Sequence, residues 1–230
     1  MSETGLSPQL RPVGDVGVLV DFADAADKDA IAHKIRALDG GLSASNTAGL
    51  VETIPALTSL LVRYDPLETE FETCATAIRD HLSASARPRS AGEVWRVPVC
   101  YDESFAPDLS ELSERVGIAP SDIIDTHSNS TYRVGMYGFA PGYAYLTGVP
   151  RALQIPRKTT AVRGVPAGSV MIAGGQCLIS TLTLPTGWWV IGRAAFTPLD
   201  ADADKPFAFE IGDEIHFEPV DADKLASLQA

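Results

Sequence analysis

The sequence predicts an α+β N-terminal domain of ferredoxin-like order, residues 1–88, followed by a mainly β domain, residues 89–230, built as a barrel or sandwich. Three observations carry this. The first part alternates β-branched runs with amphipathic helical stretches in the order βαββαβ. Residues 83–92 are small, polar and Pro-containing, the composition of a linker. From Tyr132 onward short β-rich runs are punctuated by Gly and Pro, the spacing of a closed or stacked sheet.

In chain order, Val16 to Phe22 is apolar enough for a buried strand, and Asp24 to Leu38 then changes period, with Ile31, Ile35 and Leu38 on one helical face. Gly40-Gly41 is expected to stop that helix. Val51 to Ile54 and Ser59 to Tyr64 read as strands joined across Pro55, and Phe71, Cys74, Ile78 and Leu82 share the face of a second helix. Val94 to Val99 reads as the last strand of the βαββαβ order. Past the linker, Asp108 with Glu111 three residues on resembles a capping box, ahead of a helix ending at Gly117, and a second short helix follows Pro120-Ser121. The β-rich runs are Arg133 to Met136, Ser169 to Ala173, Cys177 to Leu182, Trp188 to Ile191 and Glu214 to Phe217.

With 45% hydrophobic and 21% charged residues the chain has the composition of a folded globular protein. A formal net charge of −12 argues against a general attraction to nucleic acid or to an anionic membrane, since binding phosphate relies on Lys and Arg. Cys74, Cys100 and Cys177 are odd in number and lack CxxC spacing, so reduced thiols in the cytoplasm are expected rather than disulfides or a zinc ribbon. The first residues lack a basic stretch followed by an apolar run, and no later stretch approaches 18 uncharged apolar residues, so neither secretion nor a membrane span is expected.

No GxxxxGK[ST], GxGxxG after a strand, or GxSxG is present. His33, His81, His127 and His216 are scattered without an i,i+4 pair, so no metal site is expected. His33 and His81 read as helix-surface residues. His127 is the candidate for acid or base chemistry, because an imidazole titrates near neutrality; the alternative is a residue ending the Ile123-Ile124 helix.

The densest signal is Tyr137-Gly138-Phe139-Ala140-Pro141-Gly142-Tyr143-Ala144-Tyr145-Leu146. Gly and Pro among four aromatics disfavour a helix and fit a folded loop. Either it presents Phe139, Pro141, Gly142 and Tyr143 to a ligand, or it is a tight corner with its aromatics packed inward. Arg157, Lys158, Arg163 and Arg193 lie on turn-rich segments of the same domain and suit an anionic ligand, unless they are solvated or paired with the many carboxylates. Gly168 and Ser169 lie in the Arg163-Gly164-Val165-Pro166-Ala167-Gly168-Ser169-Val170 turn. Gln176 suits a ligand amide or a buried structural role, and Trp188 and Trp189 read as alternating core and rim residues of a strand.

Tyr132-Arg133-Val134, Gly138 through Leu146, Pro156-Arg157, Val165 through Val170 and Gly187-Trp188 through Gly192-Arg193 together resemble the motif series of the allophanate hydrolase subunit 1 family. That family includes the B-type subunit of 5-oxoprolinase and Kip-type histidine-kinase inhibitors. Val97 through Tyr101, Phe105 through Leu109, Thr126-His127 and Ile54-Pro55 through Tyr64-Asp65-Pro66 extend the likeness over nearly the whole chain. The resemblance implies a small α+β domain followed by a cyclophilin-like β-barrel. It implies a partner of the subunit 2/C type and an A-type lactam-utilisation protein, with a small-molecule amide as substrate. The expected activity is ATP-dependent opening of 5-oxoproline to glutamate; lacking a P-loop, this chain would need an unconventional ATP site or one shared with a partner. Its ligand-binding residues would be Phe139, Pro141, Gly142, Tyr143, Arg157, Arg163, Gly168, Ser169, Gln176, Trp188 and Arg193. Gln176 through Thr181, Leu184 through Trp188, Gly192 through Pro198 and Val162-Arg163 depart from the family pattern. A different amide in urea or allophanate metabolism, or a kinase-inhibiting module without catalysis, are the alternatives.

Overall fold

The computed structural model describes residues 7–22, 27–84 and 92–229, and the chain divides into two compact units, Met1–Ala91 and Gly92–Ala230. Most of the linker expected at residues 83–92 lies outside the described residues.

Unit 1 contains β1 (Gln9–Val13), β2 (Gly17–Asp21), α1 (Lys28–Ser43), β3 (Leu50–Pro55), β4 (Ser59–Tyr64) and α2 (Phe71–Ser83). The four strands form an antiparallel sheet in the order β1-β2-β4-β3. Val18, Val20, Leu60 and Val62 pack from it onto Ile31, Ile35, Leu38, Leu42 and Ile78 of the helices. This corrects the ferredoxin-like order. The edge place expected for Val94 to Val99 belongs to β1, which pairs with β2 from Gln9↔Asp21 to Val13↔Gly17. Pro12 hid this strand in the sequence, yet an edge strand tolerates a residue without an N–H. The glycine pair does not end α1 either: the helix runs through Gly40-Gly41 to Ser43 and buries Leu42. A Cβ on Gly41 would fall 3.0 Å from the His81 ring, so here glycine serves close approach of α1 to α2.

Unit 2 contains β5 (Val94–Cys100), α3 (Leu109–Val116), α4 (Pro120–Ser128), β6 (Tyr132–Tyr137), β7 (Ala144–Thr147), a short 3-10 turn (Arg151–Leu153), β8 (Val162–Val165), β9 (Ser169–Ala173), β10 (Gln176–Ile179), β11 (Leu184–Thr186), β12 (Trp189–Ala194), β13 (Glu214–Val220) and α5 (Ala222–Gln229). Seven strands close a barrel in the order β10-β7-β6-β13-β5-β12-β9, while β8 and β11 form a separate ribbon. The barrel pairs are antiparallel except β13 with β5.

Strand alternation sorts the side chains. Ala144, Leu146, Val170, Ile172, Cys177, Ile179, Trp189 and Ile191 fill the barrel, joined by Leu109, Leu112 and Ile123 from α3 and α4. Tyr143, Met171, Ala173, Leu178, Trp188 and Val190 face outward and form a second buried cluster with Val165 and Leu184 of the β8–β11 ribbon. The capping box expected at Asp108 is absent. Asp108 precedes α3 but makes no side-chain cap, because its carboxylate is used across the fold by Lys158 and the Val190 N–H.

Candidate functional site

One end of the barrel gathers most of the glycine-rich motifs. The register sets Arg193 beside Ser169 and Ile179 beside Val170, so the turn before β9, the segment after β10 and the end of β12 share one rim. Hydrogen bonds stitch these segments together. Thr181 Oγ1 donates to the Pro141 carbonyl (2.7 Å), which ties the β6–β7 loop to the end of β10. The Gly168 N–H donates to the Ser180 carbonyl (2.6 Å), and the Ser169 N–H donates to Ser180 Oγ (3.0 Å). Ser169 and Ser180 both donate to the Pro166 carbonyl, each at 2.8 Å. The Ala194 N–H donates to the Gly168 carbonyl (2.8 Å), which carries the network to Arg193.

Arg193 is half-buried, and its Nε is enclosed without a hydrogen-bond partner. Burial lowers its pKa, because desolvation disfavours the charged form. Its guanidinium stands 6.0 Å from the Phe105 ring, and a Cβ on Gly168 would sit 3.2 Å from Arg193 Cδ. Gly168 therefore makes room for the arginine and also takes a φ of +80° that a side chain would strain. A partly desolvated cation is costly unless something anionic is meant to meet it. Among the described residues Arg193, Arg157 and Arg163 reach no carboxylate within 4 Å, whereas Arg11, Arg63, Arg79, Arg96, Arg115 and Arg133 each do.

Phe139, in the β6–β7 loop, is 77% exposed and holds φ at +69°, the one non-glycine residue with positive φ among those described. A side chain in that region costs about 1–2 kcal/mol, and such strain gathers at working sites. Its ring leans on Tyr143 at 5.5 Å. Replacing Phe139 by Gly is expected to raise thermal stability by about 0.5–1 kcal/mol, the relieved strain less glycine's extra chain entropy. Thermal unfolding of the two proteins checks this.

Below the rim the outer face of the barrel carries Tyr143, Tyr145 and Trp188, with Tyr145 at 5.8 Å from Trp188 and the Arg157 guanidinium 5.3 Å over the Trp188 ring. Trp188 and Arg193 stand at opposite ends of β12, roughly 15 Å apart at about 3.3 Å per residue. Phe139, Pro141, Gly142, Gly168, Ser169 and Arg193 thus belong to the rim, and Arg157 and Trp188 to the far end of the outer wall. Arg163 is exposed on β8. Gln176 opens β10 opposite Ala173 and Thr147, at the end away from the rim. Lys158 is no free cation: its Nζ lies 2.5 Å from Asp108 Oδ2.

His127 lies inside the barrel and is fully buried. Its ring stacks on Phe217 at 4.7 Å, Nδ1 meets the Tyr101 hydroxyl at 2.8 Å and Nε2 faces Cys177 Sγ at 3.6 Å. Burial lowers its pKa to about 3, and burial pushes the Cys177 thiol and the Tyr101 hydroxyl up. Cys177 pairs with Ile172, which pairs with Trp189, while Tyr101 follows Cys100, the register partner of Arg193, so His127 sits inside the barrel between these two levels. In this place the imidazole is a buried core residue, neutral at neutral pH, which does not favour the acid–base role expected of it. Sequence reasoning passed over Ser180 and Thr181; the available signal was a pair of hydroxyls ending an apolar strand. Among the described residues no group of three or more His, Cys, Asp or Glu is arranged to hold a metal, and no helix is long and apolar enough to cross a membrane.

Residues 8–209 match the family model of the carboxyltransferase domain, subdomain C and D. The B subunit of 5-oxoprolinase from Bacillus subtilis is 31% identical over 222 residues, covering 91% of this chain and 91% of that protein. Among solved structures, TTHA0988 superposes with a TM-score of 0.78 at 28% identity over 93% of this chain, which spans only 41% of that longer chain. The K. lactis urea amidolyase shares the fold alone, with a TM-score of 0.78 at 17% identity, and the match takes in 98% of this chain but 16% of that protein.

Proposed function

We propose, for a chain that belongs to the carboxyltransferase subdomain C and D family of the 5-oxoprolinase B-type subunit and allophanate hydrolase subunit 1, that it is the B-type component of an ATP-dependent amidohydrolase that opens 5-oxoproline to glutamate. The rim of the barrel is its contribution to the site. The observation that carries this reading is Arg193, half-buried and without a carboxylate among the described residues, beside the Gly168 turn and the exposed, strained Phe139 loop.

Opening a lactam requires its carbonyl carbon to become more electrophilic, which transfer of a phosphoryl group to the carbonyl oxygen accomplishes. A guanidinium at the rim stabilises the charge that develops, and does so more strongly where water is excluded. Phe139, backed by the buried Tyr143 ring, offers an exposed apolar face to a small ring. The segments Gly138–Tyr143, Pro166–Ser169 and Ser180–Thr181 contain no Asp, Glu, His, Lys or Cys, and burial raises the Tyr143 hydroxyl further out of range. These three segments bind and orient but supply no group that moves a proton at neutral pH. Proton transfer and the phosphate-cradling loop that this chain lacks therefore come from a subunit 2/C partner and an A-type lactam-utilisation protein, with ATP shared between them.

The test combines this chain with both partners and follows ATP hydrolysis dependent on 5-oxoproline. Turnover is expected only from the complete mixture and not from this chain alone. Its absence from every combination, or an equal rate with this chain left out, overturns the reading.

A further inference from the structure

At the far end of the outer wall, Arg157 is exposed, with its guanidinium carbon 5.3 Å over the ring of Trp188, which is only 5% exposed. A guanidinium lying on an aromatic face keeps its N–H edge free for an in-plane partner. Its neighbours on both sides are fixed. The Pro156 carbonyl accepts from Trp189 Nε1 (2.8 Å), and the Lys158 N–H donates to the Gly187 carbonyl (2.7 Å). Lys158 Nζ meets Asp108 Oδ2 at 2.5 Å, with the two side chains only 12% and 14% exposed. The same Asp108 oxygen accepts from the Val190 N–H (2.6 Å). Asp108 thereby holds the segment carrying Arg157 and the strand carrying Trp188 to each other. The Tyr145 ring stands beside Trp188, near enough to Arg157 for the guanidinium charge to oppose the rise that burial gives its hydroxyl pKa.

We propose that Arg157, Trp188 and Tyr145 form a second, preformed seat for an oxyanion, a carboxylate or phosphate group, separate from the rim, and that Asp108 and Lys158 are its positioning residues. Preorganisation is what the arrangement supplies: an arginine on a flexible surface segment loses backbone and rotamer freedom on binding, whereas one whose backbone is clamped at both neighbours and whose guanidinium already lies over Trp188 loses less. The absence of a carboxylate partner for Arg157 among the described residues matters in a chain of net charge −12, where six other arginines have found one. This seat does not depend on the catalytic reading of the rim.

The experiment follows the arginine Nε–Hε resonances of the full-length, 15N-labelled chain while inorganic phosphate or acetate is added at constant ionic strength. The Arg157 resonance is expected to shift in a saturable way, and the stronger of the two anions identifies the preferred group. Arg157→Met removes the binding, while Arg193→Met leaves it. Asp108→Asn and Lys158→Met each weaken it by about tenfold, and Lys158→Arg, which keeps the ion pair, retains it. An Arg157 resonance that neither anion moves reduces the guanidinium to a cover for Trp188 and overturns the proposal. Full affinity in folded Asp108→Asn and Lys158→Met proteins overturns the positioning role.

Discussion

Acidification from pH 6.5 towards pH 3 is expected to cost the barrel unit several kcal/mol, on the order of 3–6, through one residue, His127. In the folded chain its pKa is lowered from 6.5 to about 3, because the ring is wholly buried. The unfolded chain binds a proton near pH 6.5 and the folded chain does not until about pH 3. The contribution to stability is therefore complete above pH 6.5 and lost as the pH falls through that window. All three tryptophans, Trp95, Trp188 and Trp189, belong to the barrel unit, so their fluorescence reports its unfolding alone. Urea midpoints measured across the window should fall steeply in the parent. In His127→Gln, which keeps a hydrogen-bonding group but cannot charge, the fall should be much shallower from a lower starting stability. Equal slopes would show that the carboxylates, not His127, set the acid limit.

Truncating Trp189 is expected to be about as damaging, by roughly 3–5 kcal/mol for Trp189→Ala. The side chain is 2% exposed in the barrel core. Its Nε1 fixes the Pro156 carbonyl, and Arg115 and Lys158 lie 5.1 and 5.2 Å over its ring. The substitution opens a cavity and frees the Pro156–Lys158 segment together. Trp189→Phe, which fills most of the volume, should cost about half as much. Urea unfolding followed by the remaining tryptophans measures both, and a loss below about 1 kcal/mol for the alanine variant would mean that the barrel end collapses to fill the space.

Much of this was legible in the sequence, and the failures have physical causes. Apolar β-rich runs and period-3.6 patterns located β2, β4, α2, β9 and β12, because β2, β4 and α2 bury a face against a core and β9 and β12 are buried on both faces. They missed β1, where Pro12 breaks the pattern at an edge, and β7, whose Ala144–Thr147 run was hidden among the glycine-rich loop. The strand Val94–Cys100 was found but misplaced. Pairing with β12 and β13 lies about 90 to 120 residues away in sequence, and alternation along one strand cannot name its neighbours. At the site, residue types pointed to the Phe139 loop, the Gly168 turn and Arg193, whose turns meet at one rim. Sequence separation could not show that Arg157 sits at the other end of β12, or that Lys158 is already taken by Asp108. Nor could it show that His127, the most inviting proton carrier by type, faces Phe217 and Cys177 inside the barrel.

The rim arginine offers the sharpest test. With the partner proteins present, kcat for 5-oxoproline-dependent ATP hydrolysis by Arg193→Met should fall by about 100- to 1000-fold, as for loss of one charge-stabilising donor, while assembly of the complex persists. A variant that assembles and turns over at the parental rate would contradict the placement of the reaction at this rim.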